Sequence, residues 1–159
     1  MVEETHPEGR LLTRYASLQP QFWAFFAWRS SNVSLTNYYT NATTNNAKYT
    51  TFNTDGFDSW NTDTILIENA TVVTDDDCVA AKGNTINMLV RNVTCYGSTG
   101  VTIGSIGQYP ATPDYVSNIT FEDVTCIDGF NYAYVKTWQS APEDQTENGD
   151  AGGGGGGCT

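Results

Sequence analysis

Acidic residues recur in this chain at a spacing that could bring them into one reaction site. Asp55 sits in a turn-like setting after Asn53-Thr54 and before a glycine, and Asp75, Asp76 and Asp77 follow about one structural repeat later. Neighbouring carboxylates raise one another's pKa, because the two cannot both be ionised cheaply. The spacing therefore predicts a protonated acid beside an ionised base, the pair that hydrolysis of a sugar–sugar bond requires.

Other uses of the same residue types remain open at this point. A solvated acidic turn needs no partner, and a Ca²⁺ loop would use the same carboxylates. No CxxC motif or histidine-bearing ligand set is present, and the single histidine, His6, lies near the terminus. We therefore expect no metal site built from Cys or His ligands.

The element that must position these residues is a repeat. Four segments read apolar, any, apolar, polar, Asn or Asp, any, then Thr or Tyr; they are 33–39, 65–71, 88–94 and 119–125. Period-two alternation predicts a short strand in each, and the Asn or Asp predicts a turn that uses left-handed backbone. Short strands at this spacing favour a parallel β-helix, with an antiparallel β-sandwich as the alternative.

We expect residues 1–138 to form central rungs of the coil, and the composition changes afterwards. Residues 139–159 are polar and then glycine-rich, ending in an unbroken run of glycines before Cys158. Such a segment predicts a loop or a tail.

Composition narrows the class of protein further. The net charge is −11 with only seven Lys and Arg, so no basic patch is available for nucleic acid or an anionic membrane. Four cysteines permit three pairings. Five glycosylation sequons favour an oxidising, secretory route, and they begin at Asn32, Asn41, Asn69, Asn92 and Asn118. Residues 1–6 lack the apolar core of a signal peptide, so we expect a secreted, monomeric protein whose N-terminus is incomplete.

Four ordered segments resemble the signatures of one enzyme family. Residues 53–58, 76–82, 103–109 and 135–138 are similar to those of glycoside hydrolase family 28, the polygalacturonases and their rhamnogalacturonan-acting relatives. The fungal exo-acting branch is the most similar, and the chain would be incomplete at both ends. The resemblance implies an all-β, right-handed parallel β-helix, here a partial solenoid. It also implies metal- and cofactor-free, inverting hydrolysis of α-1,4-galacturonosyl bonds in pectin.

The resemblance assigns roles residue by residue. Asp76 matches the general acid, whereas Asp55 and Asp77 match the carboxylates that activate water. Asn53 matches a neighbouring polar residue. Lys136 matches the cation that holds a galacturonate carboxylate, for which an ammonium is a compact partner.

Further matches and departures complete the pattern. Cys78 and Cys95 match a family disulfide. Thr99 stands where the family usually has His, and Tyr134 stands where it has Arg; both remain candidate substrate-binding residues. The alternatives are a rhamnogalacturonan-acting hydrolase, an inactive pectin-binding protein, and a lyase-like elimination that would use Ca²⁺ at 75–77.

Overall fold

The structure, a computed structural model, describes residues 2–4, 9–46, 48–109, 114–138 and 156–158. Within these residues the chain coils through two parallel sheets, and each turn of the coil, or rung, contributes one strand to each sheet. One sheet contains, in spatial order, β1 (Val2–Glu4), β4 (Phe25–Trp28), β6 (Phe57–Trp60), β8 (Asp77–Ala81), β10 (Gly100–Ile106) and β12 (Ala133–Thr137). We call it the site sheet.

The second sheet, the long-strand sheet, runs beside the first. It contains, in spatial order, β13 (Gly156–Cys158), β11 (Asp114–Ile127), β9 (Thr85–Tyr96), β7 (Asp63–Val73), β5 (Ser31–Asn41) and β2 (Arg10–Thr13). The short β3 (Ala16–Leu18) pairs with the far end of β5. All the strand pairs are parallel, which confirms the parallel β-helix and excludes the antiparallel β-sandwich.

The repeated Asn or Asp bends each long strand at the same place. Asn37, Asn69, Asn92 and Asp123 have φ angles of 54°, 55°, 51° and 50°, the left-handed region that these side chains tolerate. They stack on successive rungs, because the residues on either side of them are paired in register. The repeat found in the sequence is therefore the rung.

The alternating apolar residues of the long strands point into the coil. Leu35, Ile67 and Val90 are fully buried in register, and aromatic residues such as Phe25 and Phe57 stack behind them from the site sheet. Parallel strands buried in this way give one continuous core. No helix among the described residues has the length and hydropathy needed to cross a membrane.

Local structure departs from a simple succession of strands and loops in three places. The aromatic run 22–28 begins as an irregular segment, and only Phe25–Trp28 is a strand. Most of the glycine-containing stretch 97–107 is strand β10 rather than a loop, and its Val101 and Ile106 are buried in the core. In the segment expected to be a loop or tail, Gly156–Cys158 pairs with β11, whereas 139–155 lies outside the described residues.

Candidate active site

A cleft of about 390 Å³ lies across the site sheet. Its walls mix carboxylates, two lysines and aromatic rings: Phe22, Trp23, Asn53, Asp55, Trp60, Asp76, Asp77, Lys82, Ser105, Gln108, Tyr109, Asp114 and Lys136. Five of the seven residues predicted for catalysis or substrate binding are among them. The other two, Thr99 and Tyr134, contact one of the cleft carboxylates from behind.

Three carboxylates converge in the cleft. One oxygen each from Asp55, Asp76 and Asp77 lies within 4.8 Å of the others. Two successive turns supply them, because Asp55 ends the loop before β6 and Asp76 precedes β8 on the next rung. The amide of Gly56 donates to the carbonyl of Asp77 at 2.9 Å, which sets the two turns side by side. Strand spacing, about 4.8 Å in any sheet, thus determines how close the carboxylates come.

Short side chains lock these turns. The buried hydroxyl of Thr74 donates to the carbonyl of Thr54 at 2.7 Å, and it also accepts from the amide of Asp76 at 3.2 Å. Gly56 has no room for a side chain, since a Cβ there would lie 2.4 Å from Val72 Cγ1 and 2.6 Å from the carbonyl of Cys78. The Asn-Thr-Asp-Gly turn is therefore dictated by packing as well as by turn chemistry.

Asp77 is held as an anion. Its Oδ1 accepts hydrogen bonds from Thr99 Oγ1 at 2.5 Å and from the Tyr134 hydroxyl, while Lys136 Nζ lies 3.2 Å from Oδ2. Burial alone would raise the pKa of this carboxyl, which is 1% exposed, but these donors outweigh burial and lower it. The two positions that depart from the family pattern, Thr99 and Tyr134, therefore stabilise the same charge.

Asp55 is in the opposite state. It is 2% exposed, and burial together with the charge of Asp58 raises its pKa to about 9. Lys82 opposes this shift from 3.7 Å but does not overcome it. Asp55 therefore carries a proton at neutral pH, and the cluster pairs a protonated carboxyl with an ionised one.

Asp76 is the carboxylate that faces the open part of the cleft. Its Oδ2 accepts from the amide of Asn53 at 2.6 Å, and its Oδ1 accepts from the amide of Asp77 at 2.9 Å. Asp75 points elsewhere, since its Oδ2 accepts from the amide and hydroxyl of Thr51 at 3.0 and 2.9 Å. The run of three aspartates thus contributes two carboxylates to the site and one to the loop beside it.

Sequence reasoning missed two acidic residues of this region. Asp58 is fully buried on β6, and its Oδ1 lies 2.8 Å from Lys82 Nζ, which in turn sits 4.6 Å from the Trp23 ring. Asp114 packs against Gly83 in the cleft wall and accepts from the amide of Gly107 at 3.2 Å. The signal for Asp58 was an acidic residue inside a strand whose other members are apolar or small.

The cluster of Asp55, Asp76 and Asp77 is also where a cation would have to bind. Asp55 is protonated at neutral pH, and both oxygens of Asp77 already accept from protein donors. A divalent ion needs several free, ionised oxygens. The donor set therefore suits acid–base chemistry better than ion binding.

The remaining predicted residues lie away from the cleft. A disulfide joins Cys78 to Cys95, directly behind Asp77, and within the described part of the chain Cys126 has no disulfide partner. The sequon asparagines all lie on the long-strand sheet; Asn32, Asn69, Asn92 and Asn118 are exposed and Asn41 is half-buried.

A parallel β-helix with clustered carboxylates in an open cleft defines the class of β-helix proteins with a candidate active site on one sheet. Comparison with known proteins is more specific. The sequence model of Glycosyl hydrolases family 28 matches residues 14–147, and the chain belongs to this family.

Relatives extend the comparison. The chain is 40% identical over 116 residues to "Probable exopolygalacturonase B" of Neosartorya fischeri, a match that covers 73% of this chain and 26% of that protein. It is 41% identical over 116 residues to the protein of the same name from Aspergillus terreus, covering 73% and 27%. Its fold matches the crystal structure of endo-xylogalacturonan hydrolase from Aspergillus tubingensis with a TM-score of 0.77 and 28% identity, over 92% of this chain and 37% of that one. The chain spans only about a quarter to a third of its curated relatives.

Proposed function

We propose that this chain carries the catalytic centre of a pectin hydrolase that cleaves α-1,4-galacturonosyl bonds from the chain end. The observation that carries the proposal is the pairing of a protonated and an ionised carboxyl within one cluster of oxygens 4.8 Å across. The exopolygalacturonase names of the relatives support the substrate and the exo mode. The proposal includes secretion of the protein and glycosylation at its sequons.

Each side chain has a role in the proposed reaction. Asp76 donates a proton to the glycosidic oxygen as its bond to the anomeric carbon breaks, and Asp77 takes a proton from the attacking water. Asp77 suits the base role better than Asp55, because it is ionised and Asp55 is not. After turnover, the proton that Asp77 has taken from water passes to Asp76 by way of Asp55, whose oxygen lies within 4.8 Å of both, so the site returns to its starting state. Water thus adds to the anomeric carbon, and the leaving sugar gains a hydroxyl.

Lys136 supplies the charge that recognises the substrate. Its side chain is 38% exposed, although its ammonium contacts Asp77 on one side. The exposed side can receive the carboxylate of a galacturonate unit. The aromatic rings of Trp60 and Tyr109, stacked with centroids 6.0 Å apart, give the cleft an apolar wall on which a sugar ring can pack.

The separation of the carboxyl groups bears on whether the proposed hydrolysis inverts the anomeric configuration. Carboxyl groups of inverting enzymes are usually about 6.5–9.5 Å apart, and those of retaining enzymes about 5–5.5 Å apart. The nearest oxygens here are closer than either. A retaining route, however, needs a free ionised carboxylate that can attack the anomeric carbon. Asp77 is buried, its Oδ1 already accepts two hydrogen bonds and its Oδ2 accepts one. Oδ2 can therefore still accept a proton from a small water molecule, whereas attack on a sugar carbon would need a more exposed oxygen, so we favour water as the nucleophile.

The test is product analysis on polygalacturonate with the purified chain and two variants. Asp76→Asn should lower kcat by about 10²–10⁴-fold, the usual contribution of a general acid. Asp75→Asn is the matched control, since Asp75 bonds to Thr51 outside the cluster, and it should stay within about threefold of the parent because surface changes are mild. Galacturonate monomer alone, first formed as the inverted anomer by NMR, supports the proposal.

Other products would contradict it in distinct ways. A ladder of oligomers would refute the exo mode, and a retained anomer would refute inversion. Preference for rhamnogalacturonan or xylogalacturonan would change the substrate. An unsaturated product abolished by a chelator would mean a lyase, and tight binding without turnover would mean a pectin-binding protein.

A further inference from the structure

The pair Asp58–Lys82 lies directly beneath the carboxylate cluster, and the proposed acid–base roles do not use it. Lys82 Nζ is 2.8 Å from Asp58 Oδ1 but 3.7 Å from Asp55 Oδ2. Asp58 is fully buried and Lys82 is largely so, and the ring of Trp23 covers the ammonium at 4.6 Å. A buried ion pair of this kind is rarely kept for stability alone, because the cost of desolvation offsets the attraction.

The position of Lys82 decides the charge of its neighbour. If the ammonium lay at hydrogen-bonding distance from Asp55, that carboxyl would ionise readily, because a close cation favours the anion. Asp58 instead provides the nearer oxygen. We propose that Asp58 is a positioning residue, which binds Lys82 and so prevents it from neutralising Asp55, the carboxyl on which the cluster's proton is held.

The other charged groups around Asp55 leave this pair in control. Asp76 and Asp77, from β8 and the turn before it, add further negative charge, and the cation nearest to Asp77 is Lys136 from β12. From β5, the Tyr38 hydroxyl donates to the carbonyl of Gly56 rather than to a carboxylate. Within the described residues, Lys82 is the cation that opposes the raised pKa of Asp55.

The inference rests on the proposed function only in its kinetic consequence. A site that transfers protons needs a proton held beside an ionised carboxylate. Losing the proton of Asp55 would leave the cluster unable to resupply Asp76. The Asp58–Lys82 pair therefore sets the alkaline limit of activity through Asp55, without itself giving or taking a proton in the reaction.

Charge bookkeeping predicts an uncommon pattern among variants. Asp58→Asn removes an anion and leaves Lys82 without its partner, so the ammonium turns to Asp55 and promotes its ionisation. Lys82→Met leaves Asp58 unpaired and buried, so Asp58 takes up a proton and the pair is lost as a neutral unit. The double variant is neutral at both positions. Of the three variants, only the single Asp58→Asn change should shift the titration midpoint of Asp55 strongly.

The first readout is the titration of the Asp55 carboxyl carbon by NMR in aspartate-labelled protein, assigned with Asp55→Asn. It requires no catalysis. Asp58→Asn should lower the Asp55 midpoint by about one pH unit or more, and adding Lys82→Met should return it toward the parent value, as expected when two sites are coupled. An unchanged midpoint in Asp58→Asn, or no return in the double variant, overturns the proposal.

If Asp58→Asn does not fold, the other two variants still decide. The double variant leaves no unpaired charge and is the better candidate to fold. Its Asp55 midpoint should equal that of Lys82→Met and lie near the parent value. A large upward shift in Lys82→Met would mean that Lys82 already neutralises Asp55, which contradicts the positioning role.

The second readout is the pH profile of kcat/KM on polygalacturonate. Asp58→Asn should lose about tenfold more activity on the alkaline limb than on the acid limb for a one-unit shift, whereas a structural defect would lower both limbs together. A parent without turnover refutes the proposed function while the NMR titration still tests this inference. A parent with turnover and a parallel loss on both limbs refutes the inference alone.

Discussion

Thr99 donates a hydrogen bond to Asp77, with 2.5 Å between Thr99 Oγ1 and Asp77 Oδ1. The residue that replaces the usual histidine therefore bonds directly to the carboxylate assigned here as the base. Unlike histidine, a threonine hydroxyl neither gains nor loses a proton near neutral pH. It can, however, donate a hydrogen bond that keeps Asp77 ionised and oriented.

The Thr99 contact can be tested with an isosteric change. Thr99→Val keeps the shape and removes the donor, so kcat should fall about 10–100-fold, the value of one hydrogen bond to a charged group. The acid limb of the pH profile should also move up, because Asp77 would protonate more easily. Thr99→Ser should retain most of the activity. Thr125→Val, at an exposed position of β11, is the control, and full activity of Thr99→Val would disprove a role for the hydroxyl.

Lys136 has two expected partners, and its variants should separate them. Lys136→Met removes the cation beside Asp77, which is also the proposed binding group for the substrate carboxylate, so kcat should fall and KM should rise. On a methyl-esterified substrate, which lacks the negative charge, the increase in KM should be smaller. Steady-state kinetics on both substrates make the comparison, with the exposed Lys48→Met as control. An equal KM loss on both substrates would remove carboxylate recognition from the role of Lys136.

Burial of Asp55 should make stability depend on pH. Its folded pKa, about 9, lies above its ordinary value of 3.8, so its contribution to stability is complete below about pH 4 and is lost as the pH rises toward 9. Asp58, at about 6, acts in the same direction over the lower part of this range. Asp77, whose pKa is lowered, acts in the opposite direction and only at more acid pH. The protein should therefore be more stable at pH 5 than at pH 8.

Thermal unfolding of Asp55→Asn checks this dependence. Asparagine mimics the protonated form, so the variant should gain Tm at pH 8 and change little at pH 5. Even about 1 kcal/mol of this linkage corresponds to about 2–4 °C in a domain of this size. Exposed Asp128→Asn is the control. If Asp55→Asn fell in Tm equally at both pH values, the buried carboxyl would not be the origin of the dependence.

Two sequons should exclude one another. Asn92 Nδ2 donates to Asn69 Oδ1 at 2.6 Å on the neighbouring rung, so a glycan on each would crowd two bulky chains into one strand spacing. Intact mass of protein secreted by a glycosylating host should show no molecule modified at both. Thr71→Val, which destroys only the Asn69 sequon, should raise occupancy at Asn92. A major doubly glycosylated species in folded protein would contradict the prediction.

The rungs could be predicted from the sequence because one residue type marks each of them. Asn37, Asn69 and Asn92 adopt left-handed backbone that few other residues tolerate, so their spacing reports the coil directly. The cluster of Asp55, Asp76 and Asp77 followed from the same register. Period-two reasoning served well wherever one face of a strand is buried and the other is not.

Other parts of the site could not be read in this way. Phe57, Asp58 and Ser59 are all buried, so alternation carried no information about where Asp58 points. Its partner, Lys82, lies just beyond the end of β8, where the sequence does not distinguish a buried, paired lysine from a solvent-exposed one. The meeting of Thr99 and Tyr134 on Asp77 likewise depends on how intervening loops return the chain to the sheet, which propensity does not encode.

The in-register stacking of the site sheet also limits how this chemistry can evolve. Asp55 and Asp77 occupy equivalent places on consecutive turns of the coil, and main-chain pairing rather than side-chain choice sets their separation. Rungs gained or lost elsewhere would lengthen or shorten the groove available to a polymer without disturbing that separation. A single rung inserted between β6 and β8 would pull the carboxylates apart and abolish proton sharing. Rungs at the ends of the coil can therefore change without altering the carboxylate cluster, whereas the two turns that carry Asp55 and Asp77 must stay adjacent for the proposed reaction.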